Sequence, residues 1–348
     1  RREFYALYGD LTTGMTVTEL GRYHRRLTGV QAGYRQGALD VTGFASRSGH
    51  AYGRDELRGD GTSGIYRLAT GDIVIGSETV TVEVRDRYRD EVVLSERRLS
   101  RIVDYDIDYA RGELVFKEPI FARDEDLNPV WIIAEYETFD DRDPEVTGGG
   151  RAAVHLGGDR VEAGVTVIHE GGHGTGGDLA AFDARVDVTD GVRLKAEVAG
   201  SDREDAGRAG AWLAEIQGRS AGLDARAWLR RQEEGFGLGQ QRQGEAGTLK
   251  AGAEADWRFL PEWTVAARLA HRRDLKSDAE QDLVESRLTW SRGPLSANIG
   301  HRLAEDRFGA GPDRLSRQLR GGASAGLFRN RVRLRAEHEH NLDGANAS

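Results

Sequence analysis

The sequence predicts an all-β protein: an antiparallel transmembrane β-barrel, with about fourteen strands visible of an incomplete set, interrupted by an inserted soluble β-sandwich module. Three observations predict it. Runs near ten residues long between 179 and 342 alternate strictly between apolar and polar side chains. Tight turns between those runs take turns with long polar connections. Residues 52–143 switch to short β-branched runs punctuated by turn residues.

Composition narrows the class further. The 348 residues carry a net charge of −9 with no basic tail, which gives no footing for nucleic-acid binding. With no Cys, disulfides, thiolate metal sites and thiol catalysis are excluded. Lys occurs only at 117, 195, 250 and 276, so basic charge is carried by Arg. No run approaches the roughly 18–20 apolar residues of a spanning helix. A barrel strand needs only about 9–11 residues with every second one apolar, so mean hydropathy is blind to it.

Residues 1–50 read as the first barrel hairpin. Phe4 to Asp10 is aromatic and ends in a turn, residues 16–35 form a strand, Gln36-Gly37 turns the chain, and Leu39, Val41 and Gly43 alternate with Asp40 and Thr42. Residues 51–147 are the inserted module, with strands at Thr79–Val84, Glu91–Leu94, Glu113–Phe116 and Val130–Glu135. About 90 residues is an ordinary domain size. Acidic Phe139–Glu145 and then Gly148–Gly150 form the expected hinge.

Residues 148–348 hold the barrel hairpins. Ala180, Phe182, Ala184 and Val186 share one face while Ala181, Asp183 and Arg185 share the other, and the alternation resumes after Thr189-Asp190-Gly191. Alternation across an Asp-Gly turn is the strongest short-range hairpin signal. The pattern recurs to Val332, Leu334 and Ala336, giving two strands before the insert and twelve after it. Long connections are expected at 170–178, 201–210, 232–246, 274–281 and 304–314, opposite tight turns such as 220–222, 260–262 and 293–294. Short periplasmic turns and longer outer loops follow this arrangement. Trp257, Phe259, Trp263, Trp290 and Phe328 cluster near the tight turns, as an interfacial girdle would. Asp183, Arg185, Arg226, Glu254, Arg268 and Arg287 fall on the opposite, lumen-facing side, with both signs mixed rather than one sign concentrated.

The string GDGTSGIYRL…GSETVTVEVRDR…DYDIDYARGELVFKEPI resembles a β-module of large Gram-negative outer-membrane and surface-export proteins. The hairpin array after it resembles the barrels that such modules accompany. The resemblance implies residence in the bacterial outer membrane, contact with its lipids, no cofactor and no enzymatic activity. It implies a transport or export channel or a receptor, with the module serving as a plug. A surface binding or adhesion protein anchored by a barrel is the alternative. Strand parity puts the module on the long-loop side, either outside the cell or folded into the lumen, as in the plugs of export ushers.

Few motifs compete with that reading. His169-Glu170-Gly171-Gly172-His173 matches the zinc pattern H-E-x-x-H, which needs a helix to bring its two His together. Five Gly between 171 and 177 oppose that helix, so a metal-binding or metalloprotease loop of His169, Glu170 and His173 stands only as the third alternative, behind channel and surface anchor. Asp104, Asp106 and Asp108 alternate as a calcium-lining edge would, or as a solvated strand face does. His338 and His340 share a face of the last strand.

Overall fold

The computed structural model describes residues 2–48, 50–86, 92–125, 128–139, 144–171, 176–239, 245–308, 313–327 and 332–342. Its strands are antiparallel throughout and fall into three sheets. The largest has fifteen strands. It begins with β1 (Arg2–Thr12), β2 (Arg26–Gln36) and β3 (Leu39–Ser48). It continues through β11 (Glu145–Leu156), β12 (Val161–Glu170), β13 (Gly177–Thr189), β14 (Val192–Arg203), β15 (Gly207–Arg219) and β16 (Leu223–Gln232). It ends with β17 (Thr248–Leu260), β18 (Trp263–Asp274), β19 (Glu280–Arg292), β20 (Leu295–Arg307), β21 (Arg314–Leu327) and β22 (Val332–Asn341). Each strand pairs with its predecessor, except where β11 follows β3, and β1 and β22 form the two outer edges.

The residues between β3 and β11 make the other two sheets. β4 (His50–Arg58), β10 (Val130–Phe139), β6 (Thr79–Arg85) and β7 (Val93–Arg98) pair in that order. β5 (Ile65–Arg67), β9 (Glu113–Phe116) and β8 (Tyr105–Asp108) make a three-stranded sheet. Val80, Ile132, Ala134 and Tyr136 of the first share one buried cluster with Tyr66, Leu114, Tyr105 and Phe116. The insert grows out of a hairpin: Ser48 of β3 pairs with Glu145 of β11, and His50 of β4 pairs with Phe139 of β10.

Burial on the large sheet is inverted relative to a water-soluble protein. Val165, Val167, Phe182, Val198, Ile216, Leu229, Leu269, Val284 and Ile299 all point outward and are exposed. On the opposite face Glu162, Thr166, Glu170, Asp183, Glu197, Thr248, Glu285 and Arg302 are buried. Alternation with period two forces this segregation, because neighbouring residues of a strand face opposite sides. The apolar band is shorter than the strand: on β18 Trp263, Val265, Ala267 and Leu269 give way to His271 and Arg273. Seven residues at about 3.4 Å span ~24 Å along the strand and ~18 Å in height at the usual tilt, about three quarters of the ~25 Å apolar band of outer-membrane barrels.

Four expectations need correction. Among the described residues the large sheet has fifteen strands rather than about fourteen, because Phe4 to Asp10 is part of a full eleven-residue strand. Tyr5 and Leu7 face the side opposite Phe4, Ala6 and Tyr8, so both faces are apolar and the alternation is hidden. Residues 16–35 are not one strand: the chain leaves the sheet after Thr12 and re-enters at Arg26. Gly148–Gly150 lie inside β11, opposite Phe44 and Gly43 of β3, and are no hinge. The 201–210 connection shrinks to residues 204–206, because Asp202 and Arg208 ion-pair at 2.8 Å and carry the ladder upward.

The excursion from Thr13 to Arg25 forms a strap held by Met15–Tyr23 backbone pairing. It folds over the polar face, where Met15, Leu20 and Tyr23 are buried among Ile168, Leu179, Ala181 and Leu213. A side chain on Gly21 would meet Thr18 at 3.0 Å, Ala181 at 3.1 Å and Thr166 at 3.3 Å, so glycine is what lets the strap lie this close.

Candidate functional site

The polar face is built as a ladder of cross-strand ion pairs. Arg151 of β11 reaches Glu162 at 3.1 Å and Asp183 of β13, and Arg185 reaches the same Glu162 at 3.1 Å. Arg226 meets Glu215 at 2.6 Å, Arg268 meets Glu254 at 3.8 Å, and Arg287 meets Glu285 at 3.7 Å. Thus Asp183, Arg185, Arg226, Glu254, Arg268 and Arg287 all lie on this face, each with a partner from a neighbouring position. Glu285 is shared: Arg302 at 3.4 Å and Arg320 at 3.6 Å converge on it as well. Buried charge of this kind persists only where it is paired.

Two nodes anchor the strap to that ladder. Arg25, with a side chain 3% exposed, binds Glu170 of β12 at 2.5 Å and Glu137 of the insert at 3.4 Å, and lies 4.7 Å over the Tyr52 ring. One guanidinium thereby ties strap, wall and insert together. Tyr23 stacks on Phe44 of β3 with ring centroids 5.4 Å apart. At the second node Glu19 pairs with Lys195 and Arg230, both at 2.9 Å, while the Glu19 and Leu20 amides donate to the Glu197 carboxylate at 2.9 and 2.8 Å. Burial pushes the Glu19 carboxyl up, but the Arg230 and Lys195 cations outweigh it and bring its pKa to about 2.

The insert presents the outer face of its four-stranded sheet to the strap. Arg85 there is fully buried, paired with Glu56 at 2.9 Å and Glu83 at 2.7 Å, and Arg54 completes the group on Glu56. Within the insert, burial and Asp55 hold the Tyr136 hydroxyl proton on, pushing its pKa up to about 12. Two cavities follow the seam. One of about 260 Å³ lies among Glu83 and Ile133 of the insert, Leu20 and Arg22 of the strap, and Arg230 and Gln232 of β16. One of about 840 Å³ lies between Tyr52, Ile75 and Glu137 of the insert and Leu11, Thr28 and Ser46 of the first three strands.

The zinc-like motif does not assemble. Its segment is the end of strand β12, not a helix, and His169 and Glu170 point to opposite faces. His169 pairs outward with Asp178 at 2.8 Å, whereas Glu170 is taken by Arg25 on the polar face. His173 lies outside the described residues, among which no group of three His, Cys, Asp or Glu is arranged to hold a metal. Asp104, Asp106 and Asp108 each go to a different cation, namely Arg97, Lys117 and Arg111. His338 and His340 stack at 6.3 Å on exposed β22.

Trp257, Phe259, Trp263 and Trp290 all occupy the tight-turn ends of β17 to β19. Trp257 and Phe259 pack at 5.6 Å, Trp263 sits directly opposite Trp290, and the Trp290 indole donates to Glu262 at 3.3 Å. Phe328 lies outside the described residues. Trp228, which no sequence argument singled out, turns inward and is covered by Arg226, 5.4 Å from its ring. The strap was missed as well. The run His24-Arg25-Arg26, in a segment read as alternating, was its signal.

No protein-family model matches this chain, and no curated protein matches its sequence. Among solved structures it is similar to the crystal structure of Pseudomonas aeruginosa OccK9 (OpdG), at 12% identity and a TM-score of 0.31, over 98% of this chain and 97% of that one.

Proposed function

We propose that the chain is an outer-membrane β-barrel channel whose mouth is filled by the strap and the 50–139 insert. The observation that carries this reading is the inverted burial of the fifteen-stranded sheet. Exposing a continuous band of Val, Leu, Ile and Phe to water costs about 25 cal/mol per Å² of apolar surface. Hydrocarbon removes that cost, and the paired charges of the other face then line a wet or ion-paired interior. The Trp and Phe residues at the tight-turn ends fit the polar–apolar boundary of a bilayer.

The Arg25 node supports a plug rather than a free outer domain, since it joins insert, strap and wall through one buried side chain. The polar face, whose charges neutralise one another, is consistent with passage of solutes.

Planar-bilayer recording of the purified full chain tests the reading. Discrete openings are expected, and they should become longer or larger when the strap is released by Arg25→Met. A protein that never conducts in either form is an anchor for surface binding, not a channel. A chain that stays monomeric in water without detergent overturns the membrane reading itself.

A further inference from the structure

The two cavities along the seam share His24, Thr79, Arg98 and Glu135 in their walls, so they are successive parts of one crevice between insert, strap and sheet. The charges along it are not balanced. Glu19 is held by Lys195 and Arg230, Glu83 by Arg85, Glu137 by Arg25 and Glu245 by Lys250 at 2.8 Å. Glu135 is engaged by Arg54 and accepts from the Tyr52 hydroxyl at 2.9 Å, and Asp10 accepts from Thr28 at 2.6 Å.

Three guanidinium groups are left over. Among the described residues Arg98 donates only to the Thr79 hydroxyl at 3.1 Å, and Arg47 only to the Pro144 carbonyl at 3.2 Å. Arg22 makes no hydrogen bond or ion pair among the described residues. All three are exposed: Arg22 and Arg98 line the narrower cavity, where Glu96 has no cation among the described residues, and Arg98 and Arg47 line the wider one. In a chain of net charge −9, three open guanidiniums in a walled polar crevice are a local departure from the whole.

We propose that this crevice binds small oxyanions, carboxylates or phosphates, as they move between the insert and the wall. A guanidinium presents several N–H donors in a fixed fork that matches the two oxygens of such a group. Because these guanidiniums are exposed, their attraction for such a group is screened by salt and is strongest at low ionic strength. The narrower part, at about 260 Å³, has room for several water-sized groups at about 30 Å³ each, hence for one small anion with part of its hydration.

This rests on the channel reading for its role but not for its test. Inorganic phosphate is titrated into the folded full chain in uncharged detergent at low salt, with binding followed by phosphorus line broadening, and acetate is then added as competitor. Saturable binding is expected, weakened about tenfold or more in the Arg22→Gln/Arg47→Gln/Arg98→Gln variant and changed less than about twofold by Arg287→Gln, whose charge is already paired on the wall. Displacement by acetate identifies a general oxyanion path, and its failure a phosphate-selective one. The single variants and the salt dependence of the native chain cover the case in which the triple variant does not fold. Absence of saturable binding, or equal binding in native and triple-variant protein, overturns the proposal. Phosphate binding without any bilayer conductance sinks the channel reading alone, whereas openings that favour cations without phosphate binding sink the oxyanion path alone.

Discussion

Replacing Arg25 with Met tests whether the strap is pinned by one buried charge. Met keeps much of the side chain's length and its apolar contact with Tyr52, but leaves the Glu170 carboxylate without its cation. That carboxylate is 8% exposed and Arg25 is 3% exposed, so the loss falls in the regime of a broken buried pair. Such losses cost about 3–5 kcal/mol, and the strap relieves them locally by lifting off the sheet. At about 1.4 kcal/mol per tenfold, the open population of the strap rises on the order of a hundredfold or more. Trypsin reads this directly, since Arg22 and Arg26 flank the anchor and cleavage of a briefly opened segment tracks its open population. Cleavage at these two positions should accelerate on the order of a hundredfold in Arg25→Met, while sites in β14 to β16 stay protected. Adding Glu170→Gln should recover most of the protection, because the orphaned charge is gone. Cleavage of Arg25→Met within twofold of native, or no recovery in the double variant, would refute the reasoning.

Three further outcomes are expected. The Glu19 pKa of about 2 lies below its ordinary 4.5, so its contribution is complete above pH 4.5 and is lost as pH falls toward 2; since the Glu19 side chain is 43% exposed, the full shift is discounted to about 1–2 kcal/mol. Hydrogen exchange of the strap should accelerate over that window in native protein, and Glu19→Gln should flatten the profile. Phe182→Arg, on the outward face between Val165 and Val198, should cost about 2–4 kcal/mol in lipid vesicles and little in a water-soluble sheet, as measured by urea unfolding. Arg85→Met leaves Glu56 and Glu83 short of a cation in the insert and should cost about 3–5 kcal/mol there, seen as faster exchange over residues 50–139 with β13 to β20 unchanged.

The hairpins from Gly177 onward were legible because their two faces differ in chemistry at every step, as in Phe182 against Asp183. Legibility failed where that contrast fails. β1 carries aromatics on both faces, and the strap interrupts a segment whose residues, taken singly, pass as strand. Charged strand tops such as Asp202 and Arg208 read as loop, since only their cross-strand pairing shows that they extend the ladder. Strand parity alone is enough to put Trp257, Trp263 and Trp290 near the tight turns and the six charges from Asp183 to Arg287 on one face; whether they meet lipid and lumen is a separate question. The crevice was not legible, because it depends on which carboxylates are already spent, and partners such as Glu19 and Arg230 are far apart in the chain.

Fifteen strands in an alternating sheet have a directional consequence. With every neighbour reversed, the first and last strands point the same way, so the free edges of β1 and β22 carry their unpaired amides and carbonyls in parallel orientation. Brought directly together they would make a single parallel seam, with slanted hydrogen bonds, in an otherwise antiparallel ring. One more strand laid between them would run against both and restore uniform pairing. If the sheet sits in hydrocarbon as proposed, those edge groups must find partners, and the seam is then where its assembly is decided.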